Sequence, residues 1–297
     1  MIGEKKLKIY AECIPCQLNR QMRNIQNQTD EEKKLAYIKS VCEIMAQMET
    51  RYSSPVALEK INKSYIEFFG EPYSYEKEKE DFDNLLLSFE DDIRKKINSS
   101  SDPLLLAVKY AGTGNLIDFG IYRDMTREQF LELLSAVDEE ELNEQTFCAL
   151  KNDLDNAKSL VYLLDNCGES VLDKLLIETI ICQYPSLDIN VIVRGSPVLN
   201  DVTLADAQRI GLDKLVTITE NGTGIPGTQL DRINAYSREL IDNADVIISK
   251  GQGNFETLQG CGLNIYYLLL CKCDLFVRLF NAERNSKIFV NERTFTF

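Results

Sequence analysis

No histidine occurs anywhere in the 297 residues. That absence excludes Ser-His-Asp and Cys-His catalysis, phosphohistidine chemistry and every His-ligated metal centre. Any acid, base or ligand must be a carboxylate, a lysine, a tyrosine, a cysteine, an amide or a metal-bound water. Positive charge is also scarce, with 33 Lys and Arg against 47 Asp and Glu and a net charge of −14. Such a balance opposes attraction to DNA, RNA or anionic membrane, so neither nucleic acid nor membrane is expected as a partner. Small phosphates remain possible, because a metal and helix ends set the local field. No apolar run reaches the ~18 residues that span a bilayer. The lysine-rich Met1–Tyr10 is followed by no apolar signal core. A cytoplasmic protein is expected, and there is no internal repeat or low-complexity segment.

What the chain does contain divides in two. Residues 12–97 read as almost entirely helical, and Asn98-Ser99-Ser100-Ser101-Asp102-Pro103 is the clearest break. We therefore expect a helical N-terminal domain over 1–98 and an α/β domain over 99–297. Ser54-Pro55 reads as a cap followed by proline, starting a helix that ends near Gly70. Glu76–Lys96 places Phe82, Leu85, Leu86, Phe89 and Ile93 on one face, and its charges read as a solvated helix surface. From Leu160 onward, strands near 160–164, 189–194, 215–219, 245–249, 264–270 and 287–290 alternate with helices. That alternation predicts a mostly parallel sheet covered on both faces, a Rossmann-like three-layer α/β/α arrangement.

Nine cysteines suit a reducing compartment better than a disulfide scaffold. Cys42, Cys148, Cys182 and Cys261 read as buried small hydrophobes. The pairs Cys13/Cys16 and Cys271/Cys273 allow zinc, redox activity or plain packing, and packing is the expectation because nothing in the sequence joins them.

The chemistry concentrates where strands end. The apolar run Leu160–Leu164 passes straight into Asp165-Asn166-Cys167-Gly168-Glu169, at the edge where open α/β sheets bind ligands. Helix capping explains one polar residue there, and a ligand site is the alternative for three. After the next strand come Gly195-Ser196-Pro197 and Asp201, then Thr203-x-x-Asp206, which resembles a capping box, and Gly211 at the helix end. Two carboxylates and an amide from adjacent strand ends suit a hard divalent cation. Gly222-Thr223-Gly224-Ile225-Pro226-Gly227-Thr228 follows the third strand, permitting either close backbone approach to a ligand or a flexible loop. The fourth strand ends in Lys250-Gly251-Gln252-Gly253-Asn254, a cation and two glycines opening a helix whose N–H groups favour phosphate. Gly112-Thr113-Gly114-Asn115 interrupts an apolar helical pattern, and Asn115 serves either as a cap or at a site rim.

The blocks Asp165–Glu169, Ser196–Asp201 and Ile248–Asn254, with Gly114–Gly120 and Glu12–Cys16 upstream, resemble those of the damage-control phosphatase family (domain of unknown function 89). The stand-alone prokaryotic branch is the one resembled, in order from about residue 12 to 257, with Cys167 where the branch often has alanine. The resemblance implies a helical N-terminal domain, a Rossmann-like domain and metal-dependent hydrolysis of small phosphometabolites, among them sugar phosphates and phosphopantetheine-like compounds. Asp165, Asn166 and Asp201 would hold one divalent ion (Mg, Mn, Co or Ni). Lys250, Gly251 and Gly253 would take phosphoryl charge, and Asn115, Asp118, Ser196 and Asn254 would complete the substrate site. Glu169 either orients and deprotonates the attacking water or supports the site from behind. A haloacid-dehalogenase-like aspartyl-phosphate route is disfavoured, because position 167 is cysteine where that chemistry has a second aspartate. Two rivals share the layout: an S-adenosylmethionine-dependent methyltransferase, whose first turn should be richer in glycine, and a non-catalytic metabolite-binding protein.

Overall fold

A computed structural model describes residues 6–114, 132 and 134–295 of the protein. Six strands form one sheet: β1 Ser159–Leu163, β2 Asp188–Val193, β3 Thr217–Glu220, β4 Val246–Lys250, β5 Ile265–Leu270 and β6 Lys287–Asn291. Their order is β3-β2-β1-β4-β5-β6, parallel throughout except for β6, which runs antiparallel to β5. β1 is central, pairing Leu160 with Ile189 on one side and with Val246 on the other. The chain winds outward from β1 to β3, then returns to start β4 on the opposite side. Connections after β1 and β4 therefore diverge, the topology in which open α/β sheets place a ligand crevice at the strands' carboxyl ends.

Period-two alternation divides the strand side chains between two cores. Leu160, Tyr162, Val191, Ile248 and Leu268 face one, while Val161, Leu163, Ile192, Ile247 and Tyr267 face the other. Helices α6 (Pro103–Gly114), α7 (Glu144–Asn156), α8 (Glu169–Gln183) and α9 (Leu204–Arg209) contribute to the first core. Helices α10 (Ala235–Asn243), α11 (Gly251–Leu258) and α12 (Asp274–Phe280) contribute to the second. Three layers result, each fully buried aliphatic or aromatic strand side chain contributing ~1.5–3 kcal/mol.

The N-terminal region is helical as expected. Helices α1 (Cys13–Asn24), α2 (Glu31–Ala46) and α3 (Ala57–Phe69) enclose their own cluster around Tyr37, Val41 and Ile61. Ser54 does not cap α3; its hydroxyl accepts from Gln17 Nε2 at 2.9 Å, and a 3-10 turn over Ser54–Val56 leads into the helix. Gly70 ends α3 in the left-handed conformation.

The charged stretch after α3 is mostly solvated as expected, with Glu76, Lys77, Glu80, Asp81, Asp91, Asp92 and Lys95 exposed, but it departs from the expectation in two residues. It forms two helices, α4 (Glu76–Leu87) and α5 (Glu90–Ser99), and its apolar residues Leu86, Phe89, Ile93 and Ile97 enter the core that also holds Leu160 and Leu175. Lys79 and Asp83 are buried as well. Lys79 and Asp83 are buried because Asp206 and Arg209 in the α/β layers pair with them. Cysteine burial also differs: Cys42, Cys148 and Cys182 are exposed and Cys261 is half-buried. Cys42 sits one position beyond the inward row Tyr37, Val41 and Met45, and Cys148 is likewise one beyond Phe147.

Candidate active site

Asp165 leaves β1, and the adjoining turn is tied to the loop after β2 by backbone bonds. Val202 N–H donates to Asp165 O at 2.8 Å, and Cys167 N–H donates to Asn200 O at 2.9 Å. Asn166 and Asp201 consequently lie side by side in an antiparallel bridge. The three residues expected to hold a cation are brought together, all buried at the crevice. Asn166 Nδ2 donates to Asp165 Oδ2 at 2.7 Å. Leu199, just before them, adopts φ +49, a left-handed conformation that a branched side chain rarely takes. Strain of this kind collects where geometry serves a site.

Arg194 was not anticipated. It is 1% exposed and reaches between the two aspartates, its Nε donating to Asp201 Oδ2 at 2.7 Å and its Nη2 lying 3.7 Å from Asp165 Oδ1. An arginine directly after the buried apolar run Val191–Val193 was the available signal. Burial, with the Glu169 and Asp201 charges, pushes the Asp165 carboxyl well above the usual range, and Arg194 only partly opposes this. Burial raises Asp201 too, again against Arg194.

Lys250, expected as a phosphate-binding cation at a helix start, has buried partners of its own. It is fully buried, donating to Asp173 Oδ1 at 2.7 Å and Ala111 O at 2.8 Å, with Glu169 Oε1 at 3.4 Å. The reason lies on α8, where Glu169 and Asp173 are one turn apart on its buried face. Asp173 was missed although that i, i+4 spacing was legible. Tyr162 O–H also donates to Asp173 Oδ1 at 2.7 Å. Burial pushes Asp173 up to about 6, while Lys250 pulls it down. Burial works against the Lys250 charge, but Asp173 and Glu169 outweigh it and hold the ammonium above its usual value.

The glycines bring backbone close. Gly251 has φ +78, and a Cβ there would lie 1.8 Å from Asp165 Oδ2, so α11 begins against that carboxylate. α6 runs through Gly112 and its range ends at Gly114, where a Cβ would lie 2.8 Å from Glu169 Cβ. Asn115 and Asp118 lie outside the described residues. Ser196 is exposed at the crevice rim, facing the loop at Gly224. That loop is packed: Ile225 is buried with Tyr52 and Val56, and a Cβ at Gly253 would lie 2.4 Å from Pro226 O. Asn254 is consumed by the scaffold, donating to Leu164 O and Lys250 O and accepting from Thr228 Oγ1. Its amide ties β1, β4 and the glycine loop together, a role sequence could not separate from substrate contact.

Two other clusters lie nearby. Asp83, Cys167 and Asp206 place ligand atoms within 4.8 Å of one another. Cations of the chain already occupy this group: Lys79 donates to Asp206 at 2.8 Å and Arg209 to both carboxylates at 2.7 Å. A metal would have to expel both. The cysteine pairs do approach each other, with Cys13 and Cys273 packed on one apolar cluster. Cys13 is pushed up to about 11, chiefly by burial, so it is a protonated thiol.

The inner site is electrically unbalanced. Among the described residues, Asp165, Glu169, Asp173 and Asp201 are buried with Arg194 and Lys250 as the buried cations beside them, a formal excess of two negative charges, while Lys272 acts on Asp165 and Lys79 and Arg20 on Asp201. Around them Asp173 Oδ2, Arg194 Nη1 and Nη2, Asn200 Nδ2 and Ser249 Oγ are buried without a hydrogen-bond partner among the described residues. Buried polar atoms of this kind signal bound ligands, ions or water.

Comparison with known proteins gives this geometry a context. Residues 9–288 match the model of the damage-control phosphatase ARMT1-like domain. The chain is similar to an uncharacterised protein of Methanocaldococcus jannaschii, 31% identical over 91% of this chain and 90% of that one. It is similar to a damage-control phosphatase of Pyrococcus horikoshii, 27% identical over 95% and 97%, and to one of Archaeoglobus fulgidus, 29% identical over 92% and 95%. The crystal structure of the Pyrococcus horikoshii DUF89 protein superposes with a TM-score of 0.84 at 26% identity, covering 96% of this chain and 99% of that one.

Proposed function

The chain belongs to the damage-control phosphatase ARMT1-like family, and from that premise we propose a metal-dependent hydrolase of the phosphate monoesters of small metabolites. Sugar phosphates and phosphopantetheine-like compounds are the substrate classes proposed. The observation that carries the metal is the charge imbalance: four buried carboxylates face two buried cations. One divalent ion restores neutrality, and the donors are the oxygens such an ion prefers. Asp165 and Asp201 would hold it by carboxylate oxygens and Asn166 by Oδ1, the atom its Asp165 bond leaves available. Magnesium, manganese, cobalt or nickel fits, with no histidine present to favour zinc. When bound, the ion supplies charge neutralisation for phosphoryl oxygens.

The chain's own groups do the rest. Lys250, locked to Asp173 and Glu169, is a fixed positive charge beneath the phosphoryl position. It acts through the low-dielectric floor and needs no reorganisation as charge develops. The N–H groups opening α11 at Gly251 and Gly253 would meet phosphoryl oxygens, since a helix start favours phosphate. Glu169 takes or orients the proton of the attacking water, aimed in line with the leaving oxygen. Ser196 contacts the substrate from the rim, and Asn254 fixes the floor to which the substrate binds. Asn115 and Asp118 are proposed substrate contacts from the segment after α6.

The test is phosphate release from a panel of phosphometabolites with each divalent ion, against a chelator control. Chelator-sensitive release restored by manganese or magnesium supports the reading. Release indifferent to chelator removes the metal from it, and no release from any ester removes the activity.

A further inference from the structure

Besides Val171 N–H donating to Gly168 O at 3.1 Å, four hydrogen bonds of backbone groups fix the turn that carries Asp165, Asn166 and Glu169, and one differs in kind. Val202 N–H to Asp165 O, Cys167 N–H to Asn200 O and Ser170 N–H to Asn166 O are made by the turn and its neighbouring loop. The fourth comes from 85 residues upstream, where Gly168 N–H donates to Asp83 Oδ1 on α4 at 2.7 Å. Gly168 has φ +83, and a Cβ there would lie 3.0 Å from Phe82 Cβ, so α4 presses directly on the turn.

Asp83 is itself held. It is fully buried, and its Oδ2 accepts from Arg209 Nε at 2.9 Å and Nη2 at 2.7 Å. Arg209 also donates to Asp206 Oδ1, whose Oδ2 accepts from Lys79 at 2.8 Å and from the Thr203 N–H and hydroxyl. Thr203 lies two residues beyond Asp201. One network from a single helix thus grips both segments that carry the cation ligands, behind Gly168 and behind Asp201.

We propose that Asp83 is a positioning residue for the phosphatase site, setting the metal-ligand turn through Gly168. The inference rests on the metal-dependent reading above. Asp83 touches neither substrate nor ion; it fixes the angle at which Asp165, Asn166 and Glu169 leave the strand. Partners behind metal ligands typically carry 10- to 100-fold in metal affinity or activity. α4, from the helical region, is then part of the catalytic apparatus.

The experiment compares Asp83→Ala and Asp83→Asn with the parent by Mn²⁺ titration, kcat and KM at saturating Mn²⁺, and amide exchange at Gly168. Asp83→Ala should bind Mn²⁺ on the order of 10-fold or more weakly and lose a similar factor in kcat, with KM changed less than threefold. Asp83→Asn should fall between, because one amide oxygen must serve either Gly168 or Arg209. It carries the test if the alanine variant fails to fold. Exchange at Gly168 should accelerate in both. Folded variants with parental Mn²⁺ affinity and kcat overturn the proposal, even if they melt earlier. A parent that binds no Mn²⁺ and hydrolyses no ester overturns the phosphatase reading instead, and unchanged Gly168 exchange would then overturn the clamp independently.

Discussion

Lys250 Nζ lies 2.7 Å from Asp173 Oδ1, a cation and a carboxylate from different layers meeting fully buried beneath the crevice. A buried pair of this kind is costly to break from one side, because the survivor keeps its charge without a partner. Lys250→Met should therefore have two effects. Turnover on every phosphate ester should fall by ~10²-fold or more, as expected for a fixed charge acting on phosphoryl oxygens. Stability should also fall, by about 3–5 kcal/mol. Urea unfolding and kinetics on two unrelated esters check both parts. Unchanged stability would contradict the buried pair, and loss on one ester alone would make Lys250 a specificity residue.

Asp173 gives the protein a distinctive acid response. Its carboxyl is raised to about 6 by burial, above the ordinary 3.8, despite Lys250 beside it. A raised carboxyl means the folded state binds its proton more tightly than the unfolded chain does. Its contribution to stability is therefore greatest below about pH 4, declines between about 4 and 6, and is level above. Asp173→Asn has no such proton. The stability of the variant relative to the parent should rise from pH 4 to 6, by at most ~1.4 kcal/mol per pH unit, then flatten. Denaturant melts at half-unit steps measure this, and a flat difference would contradict the raised carboxyl.

Gly251→Ala tests the contact between α11 and Asp165. The added methyl would occupy space 1.8 Å from Asp165 Oδ2 at a backbone φ of +78. Either the carboxylate moves or the helix start does. We expect Mn²⁺ affinity to drop at least 10-fold while the far-ultraviolet circular dichroism stays native. Parental affinity would show that this corner tolerates displacement and is not part of the ion's setting.

Thiol accessibility separates the cysteines. Cys16, Cys42, Cys148 and Cys182 are exposed, whereas Cys167 and Cys271 are buried. A thiol reagent applied to the reduced native protein should modify the first four, and unfolding should be required for the last two. Peptide mass mapping reads the order. Rapid native modification of Cys167 would contradict the closed packing behind the metal-ligand turn.

Much of the fold was legible because its signals are local. Buried strands such as Leu160–Leu164 and Val246–Lys250 are apolar runs ended by polar corners, and their parallel pairing follows from the helices between them. The grouping of Asp165, Asn166 and Asp201 was also legible, since two adjacent strand ends bring them together. What escaped was long-range pairing of charge. Nothing near Lys79 or Asp83 announces Asp206, Arg209 or Gly168, so a charged helix read as solvated. The buried partner of Lys250 escaped for the same reason, Asp173 lying 77 residues earlier. Asn254 shows a different limit, because an amide that ties three segments looks in sequence like one that meets a substrate.

The central claim is that Asp165 and Asp201 hold the divalent ion on which phosphate release depends. Mn²⁺ titration of the parent, Asp165→Ala and Asp201→Ala, each paired with phosphate release before chelation and after refilling, tests it most directly. The account predicts one Mn²⁺ per parent chain, no specific binding or turnover in either variant, and native circular dichroism in all three. Full turnover by Asp201→Ala after chelation and refilling would contradict it.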